Sequence, residues 1–387
     1  MKTETVKGFR DIENASKRIA IRNIIEETFK LYGYKPIETP IIEYEEFVKG
    51  ENIDDEAVSD IFKLQDKGKR KLALRYEHTF SLKRLMENKK LPYKRYTIGP
   101  VFRDEPVRPN RWRQFTQCDA DVVGANLKDV AEILKIISEV LDKLKIKSNI
   151  NINNRKLLNE ILDEFKIKQE DQEEVIREVD KLDKLPENEI KKNLKKYKAE
   201  KILEVLKKPE SFFNKYKNYK DIKELKNLCK IMGVDVNFQP FLARGLSYYN
   251  WIVFEVKSVS GIKDSIMGSG SYLTNGIQAT GISFGLDRLE MLAKVDVGFK
   301  KVLVISLEQD KKSVEIAGKI RGLGIPCEIY YGKPGKALDY ANSLNIPLVV
   351  FIGDNEVKKK KFKLKIMNSG KEKMVGEEEL VKFIKNC

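Results

Sequence analysis

From Ala15 to Tyr32 the apolar side chains Ile21, Ile24, Ile25, Phe29 and Tyr32 recur at helical spacing, and Gly33 follows. That pattern predicts an amphipathic helix stopped at the glycine. The next stretch, GYKPIETPIIEYEEF, carries Pro36 and Pro40, so it is extended rather than helical. Residues 60–74 read as a hairpin turning at Asp66-Lys67-Gly68. Between Arg113 and Val123 the side chains alternate by type, as on the two faces of a strand. Asn126 can cap a helix whose apolar positions Leu127, Val130, Ile133, Leu134, Ile137, Val140, Leu141 and Leu144 follow the 3.6-residue period. From about Asn159 to Asn227 lysine and glutamate dominate, apolar positions are sparse, and Pro186 and Pro209 interrupt. This reads as a small helical insertion whose alternating charges form a solvated face; a lysine-rich module that grips phosphate is the alternative. An alternating strand follows Tyr248-Tyr249, and a glycine-bearing loop, a strand and a helix span MGSGSYLTNGIQATGISFGLDRLEML. From Lys300 the order changes to KVLVISL, a helix through Ile320, CEIYY, the helix GKALDYANSL and PLVVFIG, completed by KFKLKIMN and a helix from Glu377 to Ile384. Such alternation predicts a parallel α/β unit.

Composition narrows the function. The chain of 387 residues is long enough for two or three domains. Its 74 Lys and Arg against 59 Asp and Glu give a net charge of +15, which favours a polyanionic partner. Charged residues of both signs make up 34%, a mixture that also suits an ion-paired thermophile surface. Cys118, Cys229, Cys327 and Cys387 lack CxxC spacing, which argues against a disulfide framework and a zinc site. A cytoplasmic protein without a membrane span is expected, since neither a signal-peptide core nor an apolar run of about 18 residues occurs. His78 is the single histidine. Most triads, His-ligated metals and His general bases are thereby excluded, unless His78 itself serves.

The chemistry concentrates in IGPVFRDEPVRPNRWRQFTQCDADVVG, from Ile98 to Gly124. Thr116, Cys118, Ala120 and Val122 share one face of its second strand; Arg113, Phe115, Gln117, Asp119 and Asp121 share the other. A cation, a ring, an amide and two carboxylates in one row pack a core poorly, because each buried polar group needs a partner. A lined cleft explains them better. The long connection from Asp104 to Trp112 adds Arg108 and Arg111, and guanidinium forks beside an aromatic ring suit a nucleotide. A solvated hairpin with charges that keep an edge soluble is the plain alternative.

This segment resembles motif 2 of the class II aminoacyl-tRNA synthetases, with Phe102-Arg103-Asp104-Glu105 as its core, and RWRQFTQCDADVVG resembles the histidyl-tRNA synthetases in the version of archaea and eukaryotes. KGFRDI resembles that family's Gly-x-Arg-Asp opening, and the helix followed by the extended run around Pro40 resembles motif 1. FLARGLSYYNWIVFEV resembles the signature Leu-x-Arg-Gly-Leu-Asp-Tyr-Tyr, with Ser247 in place of the aspartate. The loop resembles Gly-Gly-Arg-Tyr-Asp through Gly268, Gly270 and Tyr272, while Ser271 and Leu273 depart from it; GLDRLEML resembles motif 3.

The resemblance implies an α+β catalytic domain with an antiparallel sheet flanked by helices, formed by residues 1–158 and 228–298. It also implies a helical insertion over 159–227 and an α/β anticodon-binding domain over 299–387. The activity implied joins ATP and histidine into histidyl-adenylate, then transfers the histidyl group to the 3′ end of a histidine-specific tRNA, with Mg2+ on the pyrophosphate and a homodimer built at motif 1. Carried over residue by residue, Arg103 bridges the substrate carboxylate and α-phosphate, and Arg244 takes the α-phosphate from the other side. Arg113 and Arg288 hold the β and γ end, and Phe115 stacks on adenine with Glu105 nearby. Asp121, Tyr249 and Tyr272, with Tyr248, read the imidazole; Gln117, Glu77 and Thr79, in a pattern that begins at Arg75, hold the amino-acid end. Ser247, Ser271 and Leu273 keep a drifted specificity open. A catalytically silent synthetase-like regulator or RNA-binding paralogue is the competing reading, although such a protein is expected to lose phosphate-site arginines, and all four are present here.

Overall fold

The computed structural model describes residues 3–50, 56–107, 111–244, 248–259, 265–295 and 301–386. The chain divides into two compact units, Met1–Val295 and Asp296–Cys387. In the first unit the strands are β1 Lys35–Pro36, β2 Ile42–Tyr44, β3 Lys63–Gln65, β4 Lys71–Leu74, β5 Tyr93–Phe102, β6 Gln114–Val123, β7 Ser148–Asn154, β8 Asn237–Phe238, β9 Tyr249–Ser258, β10 Ser265–Thr274 and β11 Ile277–Gly285. Eight of them form one sheet in the order β1-β5-β6-β11-β10-β9-β7-β8. It is antiparallel except at its two ends, where β1 pairs parallel with β5 and β8 parallel with β7.

The alternation read from 113 to 123 is realised in β6. Cys118, Ala120 and Val122 enter the core, where Ile133, Leu134, Ile137 and Leu141 of the helix Leu127–Lys143 pack with them. That helix begins at Asn126 in a capping box: the Asn126 side chain accepts from Lys128 N at 2.8 Å, and Asp129 accepts from Asn126 N at 2.8 Å. The first helix, Ser16–Leu31, buries Ile21, Ile25 and Phe29 in the same core.

The hairpin read from residues 60–74 is present as β3 and β4, and β2 pairs with the far edge of β4. Residues 159–227 are helical, but less solvated than their composition predicts. Val175, Ile176, Val179, Ile190, Leu194, Phe213, Ile222 and Leu225 are buried in the same cluster as Ile150, Ile152 and Phe254 of the large sheet. A few apolar side chains at helical spacing suffice to bury one face of each short helix, while lysine and glutamate fill the remainder of its circumference.

The second unit holds β12 Val302–Ser306, β13 Cys327–Tyr331, β14 Leu348–Ile352, β15 Lys361–Ile366 and β16 Glu372–Gly376, in the order β13-β12-β14-β15-β16. The first three are parallel as read from sequence, whereas β15 and β16 join antiparallel, so the sheet is mixed. KFKLKIMN begins within a few residues of the end of PLVVFIG, a connection too short for a parallel crossover.

Removing the cap of the central helix should be measurable. Asn126→Ala is expected to lower stability by about 1 kcal/mol, read as a shift in the urea midpoint with an unchanged slope.

Candidate active site

A cavity of about 740 Å³ opens on the large sheet. Its floor is written into the register of three neighbouring strands. Asp119 and Asp121 of β6 lie opposite Thr97 and Arg95 of β5 on one side, and opposite Ser283 and Gly281 of β11 on the other. Directly paired residues present their side chains to the same face, so two carboxylates and a guanidinium share a site nearly closed to water. Arg95 is fully buried, with Nη2 at 2.7 Å from Asp121 Oδ2. The Tyr272 hydroxyl donates to Asp121 Oδ1. A side chain at Gly281 would collide with this carboxylate, since a Cβ there would lie 2.1 Å from Asp121 Oδ1.

The two carboxylates differ. Burial raises the Asp121 pKa against the opposing pull of Arg95 and the Tyr272 hydrogen bond. Burial and the neighbouring Asp121 charge push Asp119 up to about 8, and Arg95 only partly offsets them. His78 lies buried below the floor, its backbone carbonyl accepting from Arg95 Nη2 at 3.2 Å. Burial, together with the Arg75 and Arg95 charges, pushes its pKa down to about 3. The imidazole is therefore neutral at physiological pH, and His78 does not line the cavity.

Three tyrosines form one wall. Tyr249 of β9 pairs with Tyr272 of β10; Tyr248 packs on both, with ring centroids 4.7 Å and 5.7 Å away. The Tyr248 hydroxyl donates to Glu77 Oε2 at 3.2 Å, and Thr79 lines the cavity just beyond. Arg103 lies over the Phe115 ring at 5.3 Å and donates from Nε to Tyr76 O at 3.2 Å. Glu105 pairs with Arg111 at 3.0 Å. On the far side Arg244 donates to Glu255 at 3.0 Å, and Arg288 donates to the Ser265 carbonyl at 2.7 Å. The Arg244 guanidinium passes flat over Gly268, where a Cβ would lie 2.0 Å from its Cζ.

Of the side chains read from sequence, Glu77, Thr79, Arg103, Glu105, Phe115, Gln117, Asp121, Arg244, Tyr248, Tyr249, Tyr272 and Arg288 all line this one cavity. Arg113 does not. It pairs with Asp104 at 3.0 Å and donates to the Glu105 carbonyl at 3.1 Å, behind the wall formed by Glu105. Arg75 is also elsewhere, buried and donating to the carbonyls of Pro100 and Thr39 at 2.8 Å and 2.9 Å. The odd member of the Arg-Tyr-Glu-His-Thr run thus fastens the loop rather than facing a ligand.

Two of the departures from the family pattern stand off the cavity wall. Ser271 is buried away from it and Leu273 is exposed. Ser247, Gly245 and Arg108 lie outside the described residues. The sequence reading missed Arg95, whose place opposite Asp121 follows only from strand register. It also missed Asp287, another cavity residue, which ties Arg10 and Arg18 to the backbone N–H of Thr116. Burial works to raise the Asp287 pKa, but the Arg18 contacts hold it below the usual carboxylate value. Asp180 and Asp183, from the helical segment, were missed as well; both reach the cavity.

Gln117 Oε1, Asp119 Oδ1 and Arg244 Nε are buried, belong to cavity residues, and have no hydrogen-bond partner among the described residues. Buried polar groups are rarely left so. The cavity is built to receive a ligand with both donors and acceptors.

Comparison with known proteins finds a family match for each part of the chain. The family described as Histidyl-tRNA synthetase matches residues 8–289, and the family described as Anticodon binding domain matches residues 301–387. Histidine--tRNA ligase 2 of Shouchella clausii is 33% identical, covering 96% of this chain and 98% of its own. Histidine--tRNA ligase 1 of Bacillus thuringiensis subsp. konkukian is 34% identical over 99% of this chain and 100% of its own. The crystal structure of histidyl-tRNA synthetase from Nostoc sp. PCC 7120 superposes with a TM-score of 0.87 at 24% identity, covering 100% of this chain and 99% of that one, a likeness of fold.

The raised Asp119 pKa has a stability consequence with a definite sign. The folded protein holds a proton that the unfolded chain releases near pH 4, so Asp119 subtracts stability increasingly as pH rises through about 4 to about 8. Asp119→Asn should therefore gain melting temperature over wild type progressively from pH 5 to pH 8. A difference that does not change with pH would show Asp119 already ionised in the folded protein.

Proposed function

The chain belongs to the histidyl-tRNA synthetase family, and we propose that it activates histidine with ATP and transfers the histidyl group to the 3′ end of its tRNA. The observation that carries this reading is one cavity lined by Arg103, Arg244 and Arg288 together with Asp119, Asp121 and three tyrosines. The guanidinium groups suit phosphate, and the carboxylates and hydroxyls suit a small ring with two nitrogens.

In the first half-reaction the histidine carboxylate attacks the α-phosphorus of ATP and pyrophosphate leaves. Negative charge gathers on the equatorial oxygens and on the departing group, and preorganised cations stabilise it. Arg103 bridges the carboxylate and the α-phosphate, and Arg244 takes the α-phosphate from across the cavity. Both are held in place before the substrates arrive, Arg103 by the Tyr76 carbonyl and Phe115, Arg244 by Glu255. Phe115 stacks on adenine with Glu105 nearby. Arg288 meets the γ end, and Arg113 joins it by exchanging its Asp104 partner for phosphate oxygen. Mg2+ accompanying the ATP would supply further positive charge to the departing pyrophosphate, beside Arg288 and Arg113. In the second half-reaction the terminal ribose hydroxyl attacks the histidyl carbonyl carbon and AMP departs.

Asp121, Tyr249 and Tyr272, with Tyr248, read the imidazole, and Gln117, Glu77 and Thr79 hold the amino end. An ionised carboxylate offers about four acceptor sites, so Asp121 retains capacity beyond Arg95 and Tyr272. An amino acid lacking the ring N–H would leave these groups unpaired, a strong basis for rejection. Ser271 and Leu273 stand off the wall and so support this reading of the pocket.

The mixed second unit serves as the anticodon-binding domain, and residues 159–227 as an insertion within a catalytic domain made of 1–158 and 228–298. A cytoplasmic location fits a tRNA-charging enzyme; among the described residues no helix is long and apolar enough to cross a membrane. A homodimer is favoured by the outer face of the three-stranded sheet. Ile42, Tyr44 and Leu64 are 50%, 50% and 39% exposed there, on the same face as Leu72 and Leu74, and a second copy would cover them.

ATP–pyrophosphate exchange measured against each amino acid in turn tests the activity. Exchange with histidine alone is expected; exchange with a different amino acid would keep the fold and overturn the pocket assignment. Arg244→Ala should lower the exchange kcat by roughly a hundred-fold or more while the KM for ATP changes little, and unchanged turnover would remove Arg244 from its role. Sedimentation of the wild-type protein should give twice the chain mass. Tyr44→Asp should shift it toward the monomer, and a monomeric wild type at micromolar concentration would refute the dimer.

A further inference from the structure

The helical segment reaches the cavity at a point that neither its composition nor the proposed reaction accounts for. After the helix Gln169–Val179 the chain makes a tight 3-10 turn, Asp180–Asp183. Buried Val179 anchors the start of that turn in the core shared with the large sheet. One oxygen of Asp180, Oδ1, accepts two consecutive backbone N–H groups, Ala243 N at 2.9 Å and Arg244 N at 3.0 Å. More than sixty residues of chain separate donor and acceptor.

The place where this carboxylate binds is unusual. Arg244 has φ +70°, the left-handed region that a long L side chain occupies only when its surroundings hold it there. Two N–H groups converging on one carboxylate oxygen supply such a hold, because a charged acceptor makes the stronger kind of hydrogen bond. The same turn also reaches the other end of Arg244. Asp183 pairs with Lys257 at 2.5 Å, Lys257 lies 3.4 Å from Glu255, and Glu255 accepts from Arg244 Nη1 at 3.0 Å. Backbone and guanidinium of one arginine are thus both referred to four residues of the helical segment.

We propose that Asp180 is a positioning residue for Arg244, setting the backbone conformation from which the guanidinium reaches the α-phosphate. The proposal rests on the adenylation reading for what Arg244 does, though not for how it is held. Residues 159–227 then act on the chemistry of the cavity as well as presenting a charged surface. Asp180 lines the cavity but acts on the reaction through Arg244. Its contribution lies in keeping Arg244 from sampling the commoner right-handed or extended conformations, in which the side chain would leave the groove above Gly268.

Asp180→Ala and Asp180→Asn in the full-length protein separate this from a plain packing role. Asparagine keeps an acceptor oxygen at the same place; alanine does not. In histidine-dependent ATP–pyrophosphate exchange, Asp180→Ala should lower kcat roughly ten-fold or more, as small misplacements of a catalytic group do. The KM for ATP and for histidine should stay within about two-fold, and Asp180→Asn should restore most of kcat. Hydrogen–deuterium exchange over residues 238–244 reads the tie directly, whatever the activity: protection of the Ala243 and Arg244 amides should fall in Asp180→Ala and largely return in Asp180→Asn. Unchanged protection in Asp180→Ala would overturn the proposal, as would unchanged kcat in an otherwise active enzyme or an equal loss in both variants that follows melting temperature. Absence of exchange in the wild-type protein would instead count against the adenylation reading, leaving the amide protection to decide the role of Asp180.

Discussion

Two carboxylates placed two residues apart on one strand, in a site closed to water, constrain much of what surrounds the cavity. Taking such charge out of water is costly unless it is paired or neutralised, and the structure does both. Asp121 receives a fully buried guanidinium from Arg95 and a hydroxyl from Tyr272. Asp119, left with less compensation, keeps its proton up to about pH 8. The neighbouring strand carries glycine at 281 because no side chain fits against the Asp121 carboxylate. The single histidine, lying beneath, stays neutral beside Arg75 and Arg95. An acidic floor of this kind, with the Asp119 pKa pushed up to about 8 beside an Asp121 that is paired with Arg95, suits the ring with an N–H donor and a nitrogen acceptor that we propose it receives.

The arginines of the cavity follow the reverse rule. Arg103, Arg244 and Arg288, the arginines proposed to meet phosphate, are each held by a carbonyl or a carboxylate of the protein itself. Preorganisation of this sort removes the cost of collecting like charges at the moment of reaction. It also makes the cavity depend on groups that touch no ligand, such as the Ser265 carbonyl behind Arg288 and Glu255 behind Arg244. Gly268 serves in the same way, by the side chain it lacks. The departures from the family pattern at Ser271 and Leu273 are compatible with this arrangement, because neither is part of the wall.

The helical segment shows how composition can mislead about connection. A stretch rich in lysine and glutamate reads as solvated, and most of its surface is. Yet its few apolar residues join the main core, and its Asp180–Asp183 turn carries two side chains that line the cavity, at 180 and 183, with Lys184 just after it a third. Charged residues at the inner end of such a segment carry no distinguishing mark in a linear sequence that already abounds in them.

What the sequence determined by itself was whatever depends on local period and on short runs of residue type. The capped helix from 127, the hairpin of β3 and β4, the two faces of β6 and the parallel start of the second unit were all legible, because side chains two residues apart on a strand or three to four apart on a helix share a face. Of the cavity side chains, Phe115, Gln117 and Asp121 were legible from residue type, because a ring, an amide and carboxylates in one row make poor core; Glu77, Thr79, Arg244, the tyrosines and Arg288 were legible only through the resemblance of their runs to the family's motifs. Only the tertiary structure decided the rest. Arg95 meets Asp121 through the register of two strands, Arg113 stays behind the wall because Asp104 and the Glu105 carbonyl hold it, and Asp180 reaches Arg244 across more than sixty residues. Each is a pairing between distant positions, and nothing in the period or type of either partner specifies the other until the backbone has closed on itself.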